Sequence, residues 1–141
     1  MDIKQIRDIF RIGRVSSVNA ANCTARVTFP DKDDTDGKGL VSQEMPIVVV
    51  GSHGTLGYWV PEVDTQVLCC FLPNPAGAGM NEGFILGAFY SKEDPPADKD
   101  EKIRSIRFPD GSYFHYDGGG TITIHASKHL VLTAPRIDLN P

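Results

Sequence analysis

The sequence of 141 residues lacks any long hydrophobic run, and no apolar stretch approaches the roughly 20 residues that a membrane helix needs. Its first ten residues carry four charged side chains, which argues against a secretory signal peptide. Cysteine is scarce: Cys23 stands alone, and Cys69 and Cys70 are neighbours. No disulfide framework is therefore expected, and synthesis in a reducing cytoplasm is favoured.

The chain also lacks a surplus of positive charge, and its net charge is −4. Residues 1–95 carry 8 Lys and Arg against 12 Asp and Glu, and residues 96–141 carry 6 of each kind. A protein that contacts phosphates needs a basic surface. We therefore expect no nucleic-acid partner.

Turn-forming residues are abundant, with 14 glycines and 10 prolines. Together they make up about a sixth of the chain, above the average of roughly 12%. This density predicts many short strands and argues against a helical bundle or a coiled coil. The expected fold class is all-β.

The first ninety residues predict a small barrel. Isoleucines three residues apart indicate a short N-terminal helix over 1–10, and strands at 12–18 and 23–29 form a hairpin. Further strands are expected near 65–72 and 83–90, with loops at 31–39 and 73–82. Five or so strands match an OB-type barrel over 11–90, and a different small β-barrel fits nearly as well.

Residues 91–102 (SKEDPPADKDEK) contain no large apolar side chain and predict a charged, extended linker. Beyond it, 103–108 and 112–116 flank Pro-Asp-Gly, which indicates a tight hairpin. Strict alternation follows, in groups that recur every seven or eight residues. The apolar positions of this repeat are Ile122, Ile124, Ala126, Leu130, Leu132, Ala134, Ile137 and Leu139.

This C-terminal region, 103–141, has a burial problem. Its pattern predicts short strands with one apolar face each and no helix to cover these faces. Burying one Ile or Leu side chain stabilises a folded protein by roughly 1.5–3 kcal/mol relative to leaving it exposed. Several copies wrapped around a common axis would bury these faces in a closed assembly. The sequence therefore predicts an obligate oligomer with a C-terminal β-shaft, in which the eight repeat positions pack on the axis.

Motifs that suggest chemistry have simpler explanations. His125 and His129 are four residues apart, which on a strand is about 13 Å and too far for one ion. Ser52 and His53 lack the G-x-S-x-G pattern of a nucleophile elbow. The aspartates of 31–36 do not match a calcium loop, because glycine falls one place late. We predict no catalytic residue, no metal site, no cofactor and no enzyme activity.

The order of these elements resembles the baseplate assembly protein V family, the central spikes of contractile phage tails and related bacteriocins. The segment 59–67 (WVPEVDTQV) is similar to the family's P-x-V-G-D-x-V passage into a barrel strand. The other matching segments are 11–15 (RIGRV), 25–30 (ARVTFP), 83–87 (GFILG), 108–112 (FPDGS), 122–124 (ITI) and 137–139 (IDL).

The resemblance implies a homotrimer with an OB-fold collar and an intertwined, tapering β-helix over 103–141. It also implies assembly in the host cytoplasm, a place in the virion tail baseplate beside hub and tail tube proteins, and the bacterial envelope as target. No lysozyme domain fits within 91–102.

Two departures from the family pattern stand out. Val63-Asp64 takes the place of Gly-Asp, which affects the turn there. The chain stops at Asn140-Pro141 without the metal-binding His-x-His tip. The tip is then a separate protein, or the sequence is truncated, or the spike is naturally short.

Two alternatives stay open. One is an OB-fold protein that binds single-stranded nucleic acid and oligomerises through its tail, and the acidic balance of 1–95 argues against it. The other is a secretion-system spike of the same architecture.

Overall fold

The computed structural model describes residues 3–30, 39–75 and 80–140. The chain divides into two compact units, Met1–Pro95 and Pro96–Pro141. The division falls inside the predicted linker, 91–102. Most of the predicted loop 31–39 and part of the predicted loop 73–82 lie outside the described residues.

The first unit is built on antiparallel strands in the spatial order β3-β2-β1-β7-β8, with β4 also paired to β2 and with β5 and β6 forming a separate hairpin. Its elements are α1 (Ile3–Arg7), β1 (Phe10–Asn19), β2 (Thr24–Phe29), β3 (Leu40–Val41), β4 (Met45–Pro46), β5 (Gly51–Ser52), β6 (Thr55–Leu56), β7 (Gln66–Pro73) and β8 (Met80–Ala88). None of the described residues belongs to a helix long and apolar enough to cross a membrane.

The predicted hairpin is present, with Val15 opposite Val27 and Asn19 opposite Thr24. Two element boundaries were wrong. The N-terminal helix ends at Arg7 and β1 already begins at Phe10, because pairing of Phe10 with Cys70 draws this residue into the sheet. The loop predicted over 73–82 is shorter, because β7 runs to Pro73 and β8 begins at Met80.

The hydrophobic core lies in the first unit and follows the alternation of its strands. On β2, every second residue from Ala25 is buried, and on β7 Val67 and Cys69 are buried while Leu68 and Cys70 are half-buried. Burial raises the pKa of the Cys69 thiol to about 12, so this thiol is protonated at neutral pH. The buried apolar residues are Val15, Ala25, Val27, Phe29, Met45, Ile47, Val67, Cys69 and Ile85.

The described strands do not close into a barrel. The two ends of the sheet meet at one parallel bridge, between Ile47 and Ile85, where the N–H of Val48 donates to the carbonyl of Ile85 at 2.9 Å. We call the open junction between β8 and residues 40–46 the seam.

The turn before β7 depends on a left-handed residue. Asp64 has φ of 72°, and its N–H donates to the carbonyl of Val15 at 2.8 Å. The guanidinium of Arg14 donates to the carbonyl of Asp64 at 2.9 Å. Aspartate tolerates this conformation better than most side chains do. The turn that leads into β7 is therefore built on a left-handed aspartate, one residue before Thr65.

The second unit is a three-stranded antiparallel sheet of β9 (Arg104–Arg107), β10 (Tyr113–Tyr116) and β11 (Ile122–His125). Its first hairpin turns through Pro109-Asp110-Gly111, as predicted, and Gly111 has φ of 90°. Both units are built from strands, which confirms the all-β class. The OB-type barrel and the β-helical shaft stay predictions.

Packing around Gly13 gives a direct test of the first unit's core. A Cβ at Gly13 would lie 2.7 Å from the Thr28 carbonyl oxygen and 2.9 Å from a ring carbon of Phe29. We expect Gly13→Ala to lower the free energy of unfolding by about 1–3 kcal/mol, because backbone atoms cannot move aside cheaply. Denaturant unfolding of the full chain, followed by the fluorescence of Trp59, measures this change.

Gly87→Ala is the matched control, because a Cβ there meets nothing within 4 Å. It should leave stability unchanged or raise it by up to about 1 kcal/mol. Equal losses for the two variants would contradict the packing around Gly13.

Candidate assembly surface of the C-terminal unit

The sheet of the second unit has one apolar face. The register places Phe114 opposite both Ile106 and Ile124, so the three side chains form a row across the strands. Ile122, two residues before Ile124, lies on the same side. All four are exposed in the single chain, Ile122 to 62%. A sheet of this kind normally buries such a face.

The opposite face of the same sheet is polar and aromatic. The ring of Tyr113 stacks on His125 with 5.1 Å between centroids, and the guanidinium of Arg107 lies 5.5 Å from the Tyr113 centroid. Ser105, His115 and Thr123 share this face by register. The apolar row is therefore on the side of the sheet that the single chain leaves uncovered.

The chain beyond β11 also exposes apolar side chains, and in addition it lacks strand pairing. Residues 126–140 form no strand, and no described backbone–backbone hydrogen bond includes any of them. Leu130, Leu132, Ile137 and Leu139 are all exposed, Leu139 to 81%. Unpaired peptide groups together with uncovered apolar side chains predict pairing with another chain.

The second unit has no core of its own. Within 96–140, all of which the structure describes, no residue is buried. A folded domain normally encloses a core between two layers. In the second unit, the surfaces that would form such a core point outward, and we call them together the assembly surface.

The polar side of the unit is held in place by Asp98. Its carboxylate accepts hydrogen bonds from Arg107 at 2.7 Å (Nη2) and 3.1 Å (Nε), and one from the hydroxyl of Ser105. The hydrogen bond from Arg107 and then that from Ser105 lower the pKa of Asp98 to about 2. This network ties 96–102 to β9 and keeps Arg107 on the polar face.

Two more aspartates lock the turns. The carboxylate of Asp110 accepts from the Ser112 N–H at 2.9 Å and from the Ser127 hydroxyl at 2.8 Å, which anchors the start of the tail. Asp117 accepts from the Gly119 and Thr121 N–H groups at 2.6 and 3.1 Å. Backbone N–H donors, from Ser112 and from Gly119, are the largest cause of the lowered pKa at each aspartate.

The eight predicted axial positions fall into two groups, one on a strand and one in the stretch without strand pairing. Ile122 and Ile124 lie on β11, and the other six lie in the unpaired stretch that follows. Ala126 is half-buried and the remaining seven are exposed in the single chain. Nothing within one chain brings the eight together, so their role in axial packing stays a prediction.

Sequence reasoning missed three residues of this surface and its support. Ile106 and Phe114 extend the apolar row. The alternation in 103–108 and 112–116, together with the Pro-Asp-Gly turn between them, was a signal that could have predicted this pairing. Asp98 was assigned to a solvated linker. The correction is that Asp98 belongs to the second unit, because Ser105 and Arg107 present donors to it.

The motifs set aside in the sequence occupy structural positions. Ser52 and His53 belong to the hairpin of β5 and β6. His125 stacks on Tyr113, and His129 lies in the exposed tail. The described residues include no group of three His, Cys, Asp or Glu side chains placed to hold a metal ion. The aspartates of 31–36 lie outside the described residues.

A search against protein-family models found no match to this chain, and a search of curated proteins found none either. The function therefore has to be argued from the assembly surface and from the motifs themselves.

The Asp98 network generates a pH-dependent prediction. Asp98→Asn should lower the melting temperature of the second unit at pH 7, because it removes the charged acceptor of Arg107. The folded pKa is depressed, so this stabilisation is complete above the unfolded pKa of about 3.9 and disappears as the pH falls towards 2. Melting curves by circular dichroism between pH 2 and pH 7 should converge at the acid end.

Glu101→Gln is the control for this comparison, since it removes the same charge nearby from outside the network. It should track the original protein at every pH. A constant gap between Asp98→Asn and the original protein down to pH 2 would contradict the assignment.

Proposed function

We propose that this chain is the central spike of a contractile tail baseplate. In this proposal three copies intertwine their C-terminal regions into a β-helical shaft, and sheath contraction drives the shaft through the bacterial envelope. The observation that carries the proposal is that 96–140 contains no buried residue while its apolar side chains are aligned.

The energetics favour a closed, multi-chain shaft. Each large apolar side chain that moves from water into an interface contributes roughly 1.5–3 kcal/mol. Six of the eight axial positions are Ile or Leu, so one chain forgoes on the order of 10 kcal/mol when it stands alone. Strand pairing between chains would also satisfy the peptide groups of 126–140. Cyclic symmetry would end the assembly at a fixed number of copies instead of a fibre.

The first unit supports a collar of OB type. Its strand order has β1 between β2 and β7, and Ile47, just after β4, forms a parallel bridge with Ile85 of β8. This order supports a five-stranded, partly open Greek-key barrel. In the spikes that this chain resembles, three such barrels surround the axis. Hub and tail tube proteins would then contact the collar.

The mechanism is mechanical, with no reaction cycle. A shaft that transmits force must resist bending, and intertwined backbone pairing around an apolar axis provides that resistance. Asp98, Asp110 and Asp117 fix the turns and the polar face of each chain. The side chains that slide past the envelope would be the polar ones, such as His115 and Thr123.

A functional test is immunogold labelling of contractile particles from the source organism with antibodies against this chain. We expect label on the tail axis at the baseplate end. Particles that carry sheath and tube but no label would contradict the proposal. Genes for sheath, tube and holin beside the coding sequence would indicate a phage, and their partial absence would indicate a secretion system of the same architecture.

The first prediction from this proposal concerns mass. The purified chain of 15.4 kDa should sediment and appear in native mass spectrometry as a species of about 46 kDa, three times the chain mass. The species should persist at nanomolar concentration, because the chains are intertwined. A folded single chain of 15.4 kDa would overturn both the shaft and the function built on it.

The second prediction concerns the axis. Leu132→Asp should abolish the trimer, because three unpaired carboxylates would meet in an apolar layer, at several kcal/mol each. Thr133→Asp is the matched control, since it adds the same charge one residue away, on the opposite side of an extended chain. Sedimentation should show a monomer for the first variant and a trimer for the second. A trimer of Leu132→Asp with unchanged melting temperature would contradict the axial assignment.

A further inference from the structure

The seam of the first unit contains an open cleft of about 720 Å³. Phe29, Phe71 and Arg11 line its floor, and Leu40, Met45 and Phe84 line its walls. This volume lies within the 300–1,000 Å³ typical of ligand sites, and the combination of apolar walls with a few polar groups is also typical of them. The cleft is remote in sequence from the assembly surface and belongs to the first unit alone.

Arg11 is the unusual residue of the cleft. It points to the core side of β1, like Gly13 and Val15, yet it carries a charge. Its guanidinium lies 5.4 Å from the Phe71 ring centroid and 3.2 Å from the carboxylate of Asp8, and its side chain is 12% exposed. The buried Nε–H has no hydrogen-bond partner within the described part of the chain.

An unsatisfied buried donor is costly, so the floor of the cleft favours an incoming acceptor. A peptide carbonyl fits this requirement without adding a negative charge near Asp8.

The edge of β8 offers further hydrogen-bonding groups. At the parallel bridge next to the seam, the carbonyl of Ile85 points away from β7 and accepts from the N–H of Val48. Gly83, two residues earlier on the same strand, therefore also directs its peptide groups toward the seam. No described strand pairs with Gly83 on that side. An extended polypeptide can add to a strand edge of this kind.

The charge at the rim selects the sequence of such a polypeptide. Glu44 and Glu82 line the cleft and are exposed, and among the described residues neither forms an ion pair. The charge of Arg11 is already matched by Asp8. The Glu44 carboxylate accepts hydrogen bonds from the side chains of Asn19 at 3.4 Å and Thr24 at 3.3 Å, which leave its charge in place. The charged residues that line the cleft among those described are Asp8, Arg11, Glu44 and Glu82, and their charges sum to −2, which favours a cationic ligand and disfavours nucleic acid.

We propose that the seam cleft binds an extended, basic segment of another protein. The segment lies along the edge of β8 at Gly83, beside Met45, where no described strand is paired on the seam side. Its apolar side chains contact Phe84 and Leu40, and its lysine or arginine side chains reach Glu44 and Glu82. This inference goes beyond the spike function and does not depend on it, because it uses residues of the first unit alone.

The test uses the full-length chain and a labelled, end-blocked hexapeptide of alternating lysine and valine, titrated by fluorescence anisotropy. We expect saturable binding with one peptide per chain, and no binding of the corresponding glutamate–valine peptide. In NMR spectra, the side-chain Nε–H signal of Arg11 and the amide signal of Gly83 should both shift. Absence of saturable binding, or equal binding of the acidic peptide, would overturn the proposal.

Two charge-reversal variants distinguish the effect of a charge in the cleft from the effect of the net charge of the protein on peptide binding. Glu82→Lys should weaken binding of the basic peptide about fivefold, because an exposed charge pair contributes up to about that factor. Glu93→Lys makes the same change in net charge away from the cleft and should leave binding unchanged. Equal weakening by both would show a general charge effect and contradict the proposal. A changed assembly mass for Glu82→Lys without peptide binding would identify a second copy as the occupant, which also contradicts it.

Discussion

Burial of apolar surface is the constraint that separates the two halves of this chain. The first unit encloses a core, with Val27, Val67 and Ile85 fully buried. The second unit, built from equally regular strands, buries nothing within 96–140. An exposed strand layer of this length is marginal in water, and its edges invite pairing. In the proposed spike, the apolar row of the sheet and the unpaired tail therefore belong to one surface, which the other chains of the shaft would cover.

In the proposed assembly, the polar network of the second unit would order part of that surface in advance. Association is opposed by the entropy lost when side chains and loops become ordered. Asp98, Asp110 and Asp117 order the turns within one chain, through donors that the same chain supplies. Ser127 joins this network and holds the first residues of the tail against the hairpin. Less ordering is then left for the moment of assembly, even though the apolar side chains have no partner yet.

The parts of the fold that the sequence predicted are those with a local signal, such as alternating apolar residues or turn-forming residues. Alternation and turn residues predicted the first hairpin, the Pro-Asp-Gly hairpin and the apolar positions near Ile122. The start of β8 was missed because Met80 joins the sheet through pairing with Pro73, which no local signal records. Asp98 was missed because its neighbours are hydrophilic and its partners lie on β9. The turn at Asp64 depends on a positive φ. Aspartate tolerates this conformation, but its presence in the sequence does not predict it.

Arg11 is a charged residue at a position of β1 that faces the core of the first unit. Alternation on β1 places an apolar side chain at this position, and a well-packed apolar residue often stabilises a protein more than a buried ion pair does. Instead the chain holds a guanidinium near the rings of Phe29 and Phe71, and its Nε–H has no hydrogen-bond partner among the residues that the structure describes. Such local inconsistencies concentrate at functional sites. The cleft that opens beside Arg11 is the second such feature, since its volume of about 720 Å³ is left unfilled between Phe29, Phe71 and Phe84. In the proposed peptide site, a single ligand would use both features, the unsatisfied donor and the open volume.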